Sequence, residues 1–160
     1  MSSSPSAWSR PRLWLVALMV LSIVGIADCG YLLQRHARGG SGFCPAYGCD
    51  IVNQGEYAEV KGIPVAAFGI AGYLALLALS VMAAALGGRS VLRAIFILSG
   101  VGVIVSAYLV YLQVAVIKSI CFWCVVSAVT MVSIFILSIL SLGNVRPTDQ
   151  PGRAGQQRAF

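Results

Sequence analysis

Four stretches of the chain stay apolar long enough to cross a lipid bilayer, and the polar residues gather in the gaps between them. Crossing takes about 20 apolar residues in helical form. The stretch 13–33 carries one charge, Asp28, whereas 63–86, 94–117 and 120–142 carry none. Backbone in lipid must satisfy its own hydrogen bonds, so each stretch is expected to be a helix. The expected fold class is therefore an all-α integral membrane protein, a four-transmembrane-helix bundle with one long outer loop at 34–62. Residues 1–12 are expected to be a short cytoplasmic segment. Residues 143–160, rich in Pro, Gly, Gln and Arg, are expected to form a disordered cytoplasmic tail.

The first stretch has a second reading. Arg10 and Arg12 ahead of an apolar run resemble a signal peptide, and Ile26-Ala27-Asp28-Cys29 resembles a lipoprotein cleavage box. Asp28 stands where such a box needs a small residue, so the segment is read as a retained helix.

Composition agrees with the membrane reading. Of 160 residues, 59% are hydrophobic and 10% charged, against about 25% charged in soluble domains. This excludes an ordinary soluble domain and a disordered chain. The net charge of +6 does not indicate nucleic acid, because the basic residues lie scattered between apolar runs and form no stripe. Arg10, Arg12, Arg89, Arg93, Arg146, Arg153 and Arg158 fall on one side of the expected topology. Arg35, Arg38, Lys61 and Lys118 fall on the other, together with Asp50, Glu56 and Glu59. This bias places both termini in the cytoplasm. Gly87-Gly88-Arg89-Ser90 then turns inside, and Lys118-Ser119 joins the last two helices outside. Within the outer loop, Gly39-Gly40-Ser41-Gly42 is flexible by composition. Residues 50–60 have the makings of a short surface helix, weakened by Gly55.

Candidate chemistry lies in the cysteines. Five is an odd number, so they cannot all pair within one chain. Cys44 and Cys49 sit in the outer loop, and Cys121-Phe122-Trp123-Cys124 begins the fourth helix. Both pairs meet the outer, oxidising side. Cysteines three apart on a helix share a face within reach of a disulfide. A helix N-terminus also favours thiolate. So small a ring removes little chain entropy, which makes it a weak staple but a usable redox centre. The loop pair, between glycines and a Pro-Ala-Tyr-Gly turn, can swing between a soluble protein and the helix pair. Two dithiols in series form a two-electron relay by thiol–disulfide exchange, with a membrane quinone as the obvious acceptor. A zinc site and two purely structural disulfides are the rival readings. Zinc sites repeat tight ligand spacings in soluble knuckles, and no metal is expected here. Phe122 and Trp123 belong either to the interfacial aromatic belt or to a planar ligand.

These residues resemble the vitamin K epoxide reductase family in its bacterial form. The resemblance rests on the loop pair, on Gly62-Ile63-Pro64-Val65-Ala66-Ala67-Phe68-Gly69, and on Ser106-Ala107-Tyr108-Leu109 followed by Cys121-Phe122-Trp123-Cys124. It implies that Cys44 exchanges with a partner's thiols and that Cys49 attacks a Cys121–Cys124 disulfide at Cys121. Cys124 is then the thiolate facing a quinone, either menaquinone or ubiquinone. Val65, Phe68 and Leu109 match quinone-pocket positions, and the segment after Cys49 forms a lid. The implied partner is a separate thioredoxin-like periplasmic protein, since the chain is too short for a fused one. The implied outcome is disulfide formation in exported proteins, at a bacterial cytoplasmic (inner) membrane. There are departures. Gln54 and Gly55 stand where relatives often carry a hydroxyl, Val65 where the animal enzymes have a pocket asparagine, and Ala128 where a tyrosine is expected. The first means that any hydroxyl role there is absent or moved, and the last two count against vitamin K epoxide as substrate but leave quinone reduction open. A second quinone-coupled disulfide oxidase family carries its two pairs in the opposite order.

Three residues remain. Asp28 is the only ionisable group deep in a span, and such acids are costly and often functional; proton uptake by reduced quinone is its candidate role. Cys29 is the odd cysteine. A faint echo between Gly25…Tyr31-Leu32 and Gly102…Tyr108-Leu109 aligns it with Ser106, so its expected role is packing. His36 is expected to be a solvated loop residue. The alternative to an enzyme is a small transporter or structural subunit with purely structural disulfides.

Overall fold

The computed structural model describes residues 10–40, 42–45 and 48–144. The expectations for the first nine residues and for 145–160 therefore lie outside the described residues. Four long helices form the molecule: α1 (Arg10–Ala37), α3 (Val65–Leu86), α4 (Arg89–Tyr111) and α5 (Phe122–Asn144). Each is long and apolar enough to span a membrane. A five-residue helix, α2 (Cys49–Asn53), lies in the loop between α1 and α3.

The long helices close into a ring, with α1 against α3, α3 against α4, α4 against α5, and α5 back against α1. Leu18, Tyr73, Leu76, Ile95 and Ile134 fill its centre. Each helix also buries one serine completely: Ser22, Ser80, Ser99 and Ser138. Each hydroxyl donates to a carbonyl one turn back in its own helix, on Leu18, Leu76, Phe96 and Phe135 respectively. None of these four donors is left unpaired, and a small side chain lets the helices approach closely. The outward faces carry exposed Val, Ile and Leu, as lipid requires.

The structure departs from the expected boundaries for identifiable reasons. Helix α1 runs on to Ala37, because Arg35 and His36 find partners in the loop. Helix α3 begins at Val65, because Ile63–Pro64 pairs antiparallel with Glu59–Val60 as β2 and β1. Lys61 and Gly62, both at positive φ (53° and 80°), make the two-residue turn. The expected surface helix over 50–60 breaks at Gln54 and Gly55. A 3-10 turn, Glu56–Ala58, follows it. Helix α4 passes into a π-helical segment, Leu112–Ile117, which ends at left-handed Lys118.

Candidate active site

The outer end of α1 organises the loop above the bundle. Tyr31 and Trp123 pack as a tilted pair with ring centroids 5.0 Å apart. Both donate to the carbonyl of Phe43, Tyr31 Oη at 2.7 Å and Trp123 Nε1 at 3.2 Å. That carbonyl precedes Cys44. Arg35, only 2% exposed, donates to the Gly40 carbonyl and pairs with Asp50 beside Cys49. His36 is not a solvated loop residue. It lies in the last turn of α1, with Nδ1 2.7 Å from the Asn53 carbonyl and Nε2 2.9 Å from Glu59. Asn53 Nδ2 in turn donates to the Leu32 carbonyl. The loop is thus tied down on both sides of the cysteine pair.

The four candidate cysteines come together. Cys49 and Cys121, 1% and 0% exposed, are buried against Leu32, and half-buried Cys44 and Cys124 pack on the same cluster. Cys44 and Cys49 are joined as a disulfide with Cα atoms 6.3 Å apart, and Cys121, Cys124 and Cys29 are free thiols. Gly48 makes the approach possible. A Cβ there would overlap the Ile120 backbone, so only glycine lets the start of α2 settle beside Cys121.

Cys121 sits one residue before α5, where the first-turn amides are unspent. Its own N–H donates to Gln113 Oε1 at 2.9 Å, an acceptor that the π-helical segment turns inward. Its Sγ receives a hydrogen bond from the Cys124 thiol, and the backbone N–H groups of Cys124 and Trp123 also point at it. Together these lower the Cys121 thiol to about 7 against the opposing effect of burial. The backbone donors at the start of α5 thus act on Cys121, the member of the pair that packs with Cys49.

Cys124 has a different position. It lines a cavity of about 290 Å³ between α3, α4 and α5, roofed by Val52, Asn53, Tyr57 and Ala58 of the loop. Val65, Phe68 and Leu109 also line this cavity, whereas Cys121 does not. Phe68, Val101 and Val105 are at once cavity wall and about half exposed, so the cavity opens sideways between α3 and α4. Phe122 and Trp123 are absent from its wall; they pack edge to face with centroids 5.6 Å apart, and Trp123 serves the loop. Among the described residues no group of acidic, His and Cys side chains could hold a metal ion.

A family model described as the vitamin K epoxide reductase family matches residues 16–139. The chain belongs to the vitamin K epoxide reductase family. It is therefore an integral membrane protein and a membrane disulfide oxidoreductase, and enzymes of this family use quinones in general. The cavity fits a quinone head on its own features: a volume near the lower end of small-molecule sites, mostly apolar walls, and a free thiol in the wall.

Sequence reasoning missed three residues of this vitamin K epoxide reductase-family site. Gln113 is an amide inside a stretch read only for its lack of charge. Tyr73 and Ser127 meet at the cavity wall, with Tyr73 Oη donating to the Ser127 carbonyl at 2.8 Å. Cys29 packs as expected, in the core cluster and against Gly69, and it also lines the cavity, 3.8 Å from Ser127 Oγ. An amide eight residues ahead of the cysteine pair was the available signal for Gln113. Nothing in the linear pattern singles out Ser127.

Proposed function

We propose that the protein is a quinone-linked, disulfide-forming oxidoreductase, with its loop and cysteine pairs on the periplasmic face of a bacterial inner membrane and both termini in the cytoplasm. A reduced thioredoxin-like partner attacks Cys44 of the Cys44–Cys49 disulfide. The partner leaves as a disulfide, and the loop pair becomes two thiols. Cys49 then attacks Cys121 of a Cys121–Cys124 disulfide. Cys44 resolves the mixed disulfide and restores the loop bond, so two electrons now reside on Cys121 and Cys124.

A membrane quinone, menaquinone or ubiquinone, supplies a two-electron acceptor at the cavity. Val65, Phe68 and Leu109 would hold its ring, and the roof from Val52 to Ala58 keeps water out. Cys124 presents sulfur to that space and bonds to Cys121 as the electrons leave. The single observation that supports this reading most is the division of labour in the helix pair. Cys121 is packed against the loop disulfide, and Cys124 opens on the cavity.

Anaerobic mixing of the fully reduced, purified protein with ubiquinone-1 tests it. With quinone in excess, two quinones reduced per protein and loss of four thiols are expected, because the loop dithiol reloads the helix pair once. Cys121→Ser and Cys124→Ser should each abolish this reaction. Intact thiols after mixing would sink the reading. The rival transporter or structural subunit predicts no such oxidation, and membership of an oxidoreductase family already disfavours it.

A further inference from the structure

Asp28 is a buried acid that the relay does not use. It is 5% exposed, and neither carboxylate oxygen has a hydrogen-bond partner among the described residues. Neither described ion pair involves it. Burying a carboxyl without a partner is costly, and nothing in the packing of α1 against α5 calls for it.

Its surroundings are specific. The carboxyl faces the Ser127 side chain on α5. It is also close enough to Cys29, Tyr73, Cys121 and Cys124 to act on each by charge. Ser127 Oγ lies 3.2 Å from Tyr73 Oη. The Tyr73 hydroxyl proton is already spent on the Ser127 carbonyl. The Ser127 hydroxyl is thus left to donate either to Tyr73 Oη or, by rotation, toward Asp28. Ser127, Tyr73 and Cys124 line the cavity, while Asp28 stands behind that wall.

The geometry points to Asp28 as the proton-transfer group of the quinone half-reaction, acting through the Ser127 hydroxyl. The inference rests on the quinone reading above and deepens it. Oxidation of the Cys121–Cys124 dithiol gives up two electrons and two protons in all, one proton when Cys121 becomes the thiolate and one from Cys124 as the bond closes, and the quinone takes up both electrons and both protons. Cys124 opens on the cavity and can deliver its proton there. Cys121 is fully buried and does not reach the cavity, so its proton needs a carrier. The Asp28 carboxylate takes it, and the Ser127 hydroxyl passes a proton on into the cavity as it receives one from Asp28. A negative charge on Asp28 opposes one on the cysteine pair, which ties the movement of this proton to the redox step.

The test is single-turnover oxidation of the reduced full-length protein by ubiquinone-1, followed between about pH 5.5 and 8.5. If wild type does not reduce the quinone, the functional reading itself fails before Asp28 is in question. With wild type active, Asp28→Asn should slow the step about tenfold or more and flatten its pH profile, and Asp28→Glu should restore part of both. Reduction of the Cys44–Cys49 bond by an added dithiol should keep its wild-type rate in all variants. An Asp28→Asn protein with the wild-type rate and profile overturns the role. So does a slowed variant whose profile is unchanged, because that marks a structural effect. If Asp28→Asn does not fold, Ser127→Ala breaks the same route. A wild-type rate and profile in that variant overturns the role equally.

Discussion

Cys121 draws its reactivity from groups that cost the fold little. Its thiol is lowered to about 7 by the Cys124 thiol and two first-turn amides. The sign follows directly. Above that pH the pair holds a thiolate, and below it the pair is protonated, so thiolate chemistry fades as pH falls through about 7. Ultraviolet absorbance of the reduced protein should show one thiolate appearing near that pH, and Cys124→Ser should move the transition upward. Because the two thiols share hydrogen bonds, the midpoint belongs to the pair. Gln113 holds the Cys121 N–H from the other side. Gln113→Leu leaves that buried donor unpaired and should cost about 1–3 kcal/mol, read as a lower thermal unfolding midpoint in detergent.

The loop between α1 and α3 is held less by its own structure than by the helix ends beneath it. The Phe43 carbonyl receives two donors, from α1 and from the start of α5. Removing one by Tyr31→Phe should cost about 1 kcal/mol. It should speed amide hydrogen exchange at Cys44 while leaving the central parts of the long helices protected. Close packing below gives the opposite extreme. A Cβ at Gly25 would overlap the Tyr73 ring, so Gly25→Val should displace Tyr73 and destabilise the α1–α3 contact by about 1–3 kcal/mol, measurable in the same unfolding assay. The four spans were legible because lipid imposes a pattern on contiguous residues, and the cysteine pairs because their spacing is local. The ends of the spans were not legible. Arg35 and His36 extend α1 only because Gly40, Asp50, Asn53 and Glu59 come to meet them. Ile63 reads as apolar helix yet pairs as strand, because a Lys-Gly turn precedes it. The cavity wall from Tyr73 and Ser127 joins residues from different helices, and no linear period encodes that meeting.

The whole molecule is a closed ring of four helices, with a serine from each at its centre, a dry outer face and its chemistry gathered at one end. The buried hydroxyls of Ser22, Ser80, Ser99 and Ser138 each donate to a carbonyl of their own helix. The cavity, in contrast, has a mouth between α3 and α4, where Phe68, Val101 and Val105 are wall and surface together. A ligand using that mouth arrives from the hydrocarbon phase and never from water. Its relevant concentration is then a mole fraction in lipid or detergent. Apparent KM values measured at fixed total quinone should rise in proportion as more detergent is added. They should collapse onto one value when plotted against the quinone-to-detergent ratio. Two quinones of equal head chemistry but different tail length should differ in the assay mainly through their partitioning, so ranking them by bulk molarity would rank the membrane's preferences in place of the enzyme's.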